Sequence, residues 1–121
     1  ADLLEKILKE FDLYAYRKRH PMSLSGGQKQ RVAVASAVAS GRDYIIFDEP
    51  TSGLDDFHMK QVAGCLKDLQ ESGKTVLVIT HDIELIYACC NYILRIEDGN
   101  AAELYRMCGE NEARLKKFFN V

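Results

Sequence analysis

The sequence predicts an α/β fold: a parallel sheet with helices packed on it. Three observations predict it. Short apolar runs at residues 44–47, 75–80 and 92–96 alternate with stretches of helical periodicity. The first two runs end in polar or acidic residues, as strands do where they leave a sheet. A chain of 121 residues, 47% apolar and 28% charged, can build one hydrophobic core and is too short for two ordinary domains.

In chain order, Leu3, Leu4, Ile7, Leu8 and Phe11 fall at helical spacing and predict an amphipathic helix over 2–11. Residues 17–21 form a basic loop ending in Pro21. Ser25, with Gln28 three positions on, is a capping box that opens a second helix. Its body, 32–39, is small and apolar, suited to close packing, and Gly41 ends it. Residues 44–47 predict a strand buried on both faces. Met59, Val62, Ala63, Leu66 and Leu69 then form one stripe of a helix over 56–71. A second buried strand at 75–80, a short helix at 83–88 and a third strand at 92–96 follow. The Glu97-Asp98-Gly99-Asn100 turn closes that strand, and 101–107 and 111–119 are expected to be helical.

Composition excludes several classes. No apolar stretch approaches the length that crosses a bilayer, and no basic, apolar, small-residue pattern of a signal peptide opens the chain. Sixteen basic against eighteen acidic residues leave −2 with no polybasic tract, so no nucleic-acid partner is expected. The balance is uneven: residues 1–43 carry eight basic and five acidic side chains, the rest eight and thirteen. Cys65, Cys89, Cys90 and Cys108 contain no C-x-x-C pair and no zinc-ligand spacing with histidine. Adjacent Cys89 and Cys90 fit a reducing compartment, and four buried or half-buried thiols are expected. The chain opens on Ala1 rather than Met and enters a helical pattern at once, the look of a fragment.

Three places carry chemistry. At Leu24-Ser25-Gly26-Gly27-Gln28, glycines at a helix start expose N–H groups at the positive end of the helix dipole, an anion site suited to phosphate. An ordinary capped helix start uses the same residues. At Tyr44-Ile45-Ile46-Phe47-Asp48-Glu49, an apolar strand delivers two acids to its carboxyl end, where ligands of open α/β sheets gather. Asp48 could hold Mg²⁺ through water and Glu49 orient a hydrolytic water, though solvated acids at a strand end look alike. Third, Thr80-His81-Asp82 ends the next strand, and His81 could donate to a phosphate oxygen. His20 and His58 read as surface residues.

Taken together, in this order and with short gaps, these motifs resemble the C-terminal half of the nucleotide-binding domain of an ABC transporter ATPase. The resemblance covers roughly residues 10–100. Residues 24–28 match the signature motif letter for letter, and Lys29-Gln30-Arg31-Val32-Ala33 continue it as the family does. The resemblance implies a partial P-loop NTPase, a RecA-like core with a truncated parallel sheet. It places Asp48 on the Walker B aspartate and Glu49 on the catalytic glutamate. Ser52-Gly53-Leu54-Asp55 fall on the D-loop and His81 on the switch histidine. It divides the chain into the end of a helical subdomain (1–42), a Walker B, D-loop and switch core (43–100) and C-terminal helices (101–121). ATP and Mg²⁺ are the implied ligands. A second ABC ATPase subunit, whose ATP the signature contacts, and transmembrane permease subunits are the implied partners, at the cytoplasmic face of the membrane.

The family's Walker A loop, its adenine-stacking region and its glutamine loop have no match here. Gly73-Lys74-Thr75 spells the end of a Walker A, but position 68 is Asp and the segment leaves a helix for a strand, the reverse of a phosphate loop. Gly73 instead suits a helix C-cap, with Lys74 by the helix's negative end. Two alternatives stay open. One is a soluble ABC-type ATPase acting on DNA or ribosomes, disfavoured by the complete signature, the lack of coiled-coil heptads and the acidic balance. The other is a non-enzymatic chain docking its signature face on an intact ABC subunit, which an upstream Walker A in the reading frame would eliminate.

Overall fold

A computed structural model describes residues 2–121, and Ala1 lies outside the described residues. Helix α1 (Asp2–Glu10) starts the chain, and Asp12, at φ +56, turns it out of the helix. Ile7 and Phe11 are buried, whereas Leu3 and Leu4, expected on the same stripe, are exposed. Two 3-10 turns, Tyr14–Tyr16 and Pro21–Ser23, flank the expected basic loop. Helix α2 (Gly26–Ala39) begins with the full capping box, Ser25 Oγ accepting from Gln28 N and Gln28 Oε1 accepting from Ser25 N. Gly41, at φ +66, follows its end.

Strand β1 (Tyr44–Asp48) pairs in parallel with β2 (Thr75–Ile79), Ile46 opposite Leu77 and Asp48 opposite Ile79. Between them runs α3 (Asp56–Glu71), capped by Asp55 and burying Met59, Val62, Ala63 and Leu66. Gly73, at φ +96, lets the chain leave α3, and the Lys74 ammonium reaches Gly41 O (3.2 Å) and Asp43 Oδ1 (3.0 Å) rather than the end of α3. Helix α4 (Ile83–Cys89) follows β2. Helix α2 packs on α1 and α3, and α3 on β2.

Neither strand is buried on both faces. Ile45 and Phe47 are covered, but Tyr44, Ile46, Leu77 and Ile79 are exposed on the opposite face of the pair. The alternation is physical: successive side chains point to opposite faces, and among the described residues a layer covers only one of them.

The chain packs as two units, one ending at Ala88 and the other Cys89–Val121. In the second, β3 (Tyr92–Glu97) pairs antiparallel with β4 (Asn100–Arg106), and α5 (Glu112–Phe119) follows a 3-10 turn. Two expectations are corrected here. Residues 101–107, placed among the C-terminal helices, lie mostly in a strand, and residues 92–96 belong to a hairpin rather than to the parallel sheet. The cause is the two-residue Asp98-Gly99 turn, whose φ values of 50° and 76° match a type I′ hairpin and fold the chain back on β3. Arg95, bonded to Glu103 (3.1 Å) and in contact with Glu97, then ties the two strands across one face.

Cys65, Cys90 and Cys108 are free thiols. Cys65 is buried and Cys89 and Cys90 half-buried, but Cys108 is exposed, against expectation. Burial and the Glu10 carboxylate push the Cys65 thiol up to about 12, so it stays protonated.

Candidate functional site

The parallel register sets the site. Pairing Asp48 with Ile79 aligns the ends of β1 and β2, so the segments beyond them, 49–52 and 80–82, lie side by side. They line an open cleft of about 270 Å³ formed by Glu49, Thr51, Ser52, His81 and Asp82. Within it the Glu49 carboxylate contacts His81 Nδ1, bringing the expected catalytic pair together. Glu49 is one-third exposed and His81 is 81% exposed, so both remain open to a ligand.

Asp82 braces this cleft. Its Oδ2 accepts from Thr51 Oγ1 (2.9 Å), joining the two strand-end loops, while its Oδ1 accepts from Glu84 N and Leu85 N to start α4. Thr51 is only 6% exposed, and its hydroxyl is satisfied by this bond. The backbone of Glu49 is equally constrained. Its N–H donates to Ile79 O (2.8 Å), and its carbonyl accepts from Ser52 N (3.2 Å) and Gln30 Nε2 (2.7 Å). Glu49 itself sits at φ +50.

Asp48, last in β1, is exposed and ends the open face of the strand pair. No cluster of three or more metal-ligating side chains exists among the described residues. A lone exposed carboxylate fits Mg²⁺ all the same, because that ion keeps several waters and takes one or two protein carboxylates together with phosphate oxygens.

The signature segment is at the start of α2. Ser25 Oγ spends acceptor capacity on Gln28 N but keeps its own proton to donate. Gly26 and Gly27 are the first residues of the helix, so no carbonyl a turn earlier takes their N–H groups. Leu24 is half-buried and Gln28 is committed to the capping box. Gly27 lies against residues 53–54: a Cβ placed there would sit 3.6 Å from Gly53 O and 3.8 Å from Leu54 Cδ2. Asp55 caps α3, accepting from His58 N and meeting His58 Nδ1, each at 2.8 Å; the backbone N–H of His58 is the main reason its carboxyl is held below the usual range. His58 also faces Asp12 at 3.4 Å, so it is a bridging residue rather than a free surface one. His20 is exposed and accepts from Met22 N.

The structure therefore unites Glu49 and His81 in one cleft and puts Gly27 beside Gly53 and Leu54. Two contributors were not singled out from sequence. Gln30 stands among residues noted only as the continuation of the signature, and Thr51 has no signal beyond its place after the acid pair and Pro50.

A family model described as ABC transporter matches residues 1–52, taking in the signature and the acid pair. A Treponema denticola protein named as an ABC transporter ATP-binding protein is 46% identical over 113 residues, 93% of this chain and 23% of that protein. A dimeric bacterial ABC transporter cassette superposes with a TM-score of 0.78 at 35% identity, over 89% of this chain and 47% of the cassette. An archaeal ribosome recycling factor, solved with a ribosomal stalk protein, superposes with a TM-score of 0.76 at 31% identity, over 85% of this chain and 21% of its own. The chain thus spans less than half of each.

Proposed function

Because the chain belongs to the ABC transporter ATP-binding family, we propose that it supplies the signature and hydrolytic half of an ATPase subunit. That subunit drives a transmembrane permease from the cytoplasmic face of the membrane. ATP is its substrate. The observation that carries this reading is the Glu49–His81 contact, in a cleft at the carboxyl ends of two parallel strands.

This reading gives each residue a role. Glu49 orients the attacking water and takes its proton, as a positioned carboxylate does at a phosphoryl centre. His81 holds the Glu49 carboxylate and is open enough to donate to phosphate. Asp48 holds Mg²⁺ through water, and that ion offsets charge on the phosphates. Ser25, Gly26 and Gly27 offer a hydroxyl and two N–H groups to nucleotide carried by a second ABC subunit, while Leu24 and Gln28 shape the turn that presents them. Asp55 fixes the D-loop to α3.

In the full-length protein, Glu49→Gln keeps nucleotide binding and lowers hydrolysis by about 10²–10⁴, the usual worth of a positioned base. Asp48→Asn instead weakens magnesium-dependent binding. Turnover near the wild-type rate in Glu49→Gln would remove the role given to Glu49. A second reading, a soluble ATPase acting on ribosomes, draws on the likeness to the archaeal recycling factor. Co-sedimentation with ribosomes rather than with membranes would favour it.

A further inference from the structure

Gln30 lies on α2, just past the signature, half-buried. Its side-chain amide donates to the main-chain carbonyl of Glu49 at 2.7 Å, a contact between residues nineteen apart in sequence. Glu49 needs holding, since it occupies a left-handed conformation, φ +50, that a residue with a side chain rarely adopts. Three hydrogen bonds keep its backbone there. One goes to Ile79 O on the neighbouring strand and one comes from Ser52 N within the same turn. The third, from Gln30, is the one that comes from the signature helix.

We propose that Gln30 is a positioning residue for hydrolysis: by fixing the Glu49 carbonyl, it aims the Glu49 carboxylate into the cleft. It thereby links the helix offered to a second subunit with the hydrolytic carboxylate of its own subunit. This rests on the reading of Glu49 as the group that activates water. A rotation about the residue 49 backbone swings its Cβ and carries the carboxylate away from His81 and from any water beside it. General-base action requires hydrogen-bond reach, so a small displacement is costly to rate while leaving nucleotide contacts elsewhere intact. The recognising chemistry is narrow. A carbonyl accepts only from a donor, so the side-chain amide serves, whereas an ionised carboxylate of the same shape repels it.

The test uses the full-length protein with steady-state ATPase kinetics, ATP binding and thermal melting, and Glu49→Gln as reference. Gln30→Met keeps the length and loses the donor; Gln30→Glu keeps the shape and replaces the donor with an acceptor. Both are expected to lower kcat by about 10- to 100-fold, Glu more than Met, on the scale that an ångström of misplacement carries. KM for ATP and the melting temperature stay at wild-type values, and Gln30→Lys, which restores a donor, recovers much of kcat. A structural role alone would instead lower melting, ATP binding and kcat together, with no recovery in Gln30→Lys, and that pattern overturns the proposal. Wild-type kcat in Gln30→Met beside an inactive Glu49→Gln also overturns it and leaves the function of Glu49 standing. An active Glu49→Gln would remove the reading on which both depend.

Discussion

Ile45 and Ile46 are adjacent on β1, yet one is 7% exposed and the other 67%. Cutting each to alanine in the 121-residue chain separates the two faces of the strand. Ile45→Ala empties a packed site and should cost about 2–5 kcal/mol. Ile46 has about a third of its surface covered. A third of the roughly 1.5–3 kcal/mol that full burial is worth leaves about 0.5–1 kcal/mol for Ile46→Ala. Against a total of about 5–15 kcal/mol for a typical domain, the first change removes much of the margin and the second little. Urea unfolding followed by far-UV circular dichroism, at several protein concentrations, measures both. Because Tyr44, Leu77 and Ile79 share the open face with Ile46, the wild-type midpoint should rise with concentration as copies associate through it. Ile46→Ala should flatten that rise, and Ile45→Ala should leave its slope alone. If Ile46→Ala cost as much as Ile45→Ala at the lowest concentration, the outer face would have to be packed and the reasoning would fail.

Three further outcomes are expected. Residues 1–121 alone should show neither submicromolar ATP affinity nor magnesium-dependent turnover, since no phosphate-loop lysine supplies the charge-assisted contacts; isothermal titration and a phosphate-release assay check this. Gly27→Asp should fold, because a Cβ there meets Gly53 O and Leu54 Cδ2 only at ordinary contact distance; in a mixed dimer of the full-length protein, its charge should impair the site whose Walker A belongs to the other subunit, and damage at its own site would overturn the trans assignment. Asp55, with its carboxyl held low, lends stability that is complete above its ordinary value of 3.8 and fades as pH falls through the depressed one; the gap between wild type and Asp55→Asn in melting should therefore close on acidification, and a pH-independent gap would contradict it.

Most of the first unit was legible because local signals and tertiary needs agree there. Ser25 and Gln28 spell the capping box that α2 uses, and the stripe on residues 59–66 is the face α3 buries. What composition cannot state is which neighbours exist, so an apolar run such as 44–47 reads as doubly buried although one of its faces is open. The miss at 101–107 has a different origin. Ala101, Ala102, Glu103 and Leu104 favour a helix, but pairing with β3 overrode that preference, and the signal was the Asp98-Gly99 turn two residues earlier. In the candidate site, Asp48, Glu49 and His81 could be placed by spacing along strands. Gln30 could not, because its contact spans a helix and a strand end that nothing local brings together.

The left-handed backbone at Glu49 sets fold and turnover against each other at a single codon. A non-glycine residue held in that region stores about 1–3 kcal/mol of strain. Glycine would release it, so a selection that reads only abundance or solubility should tolerate or even enrich Glu49→Gly. A selection that reads hydrolysis should discard the same variant, as it would any residue lacking the carboxylate. Valine, isoleucine and threonine should lose in both, being branched where the backbone is crowded and unable to take a proton. Opposite rankings of glycine in two such selections, at this position and at none of those in β1, would be the genetic trace of a strained turn retained for its chemistry.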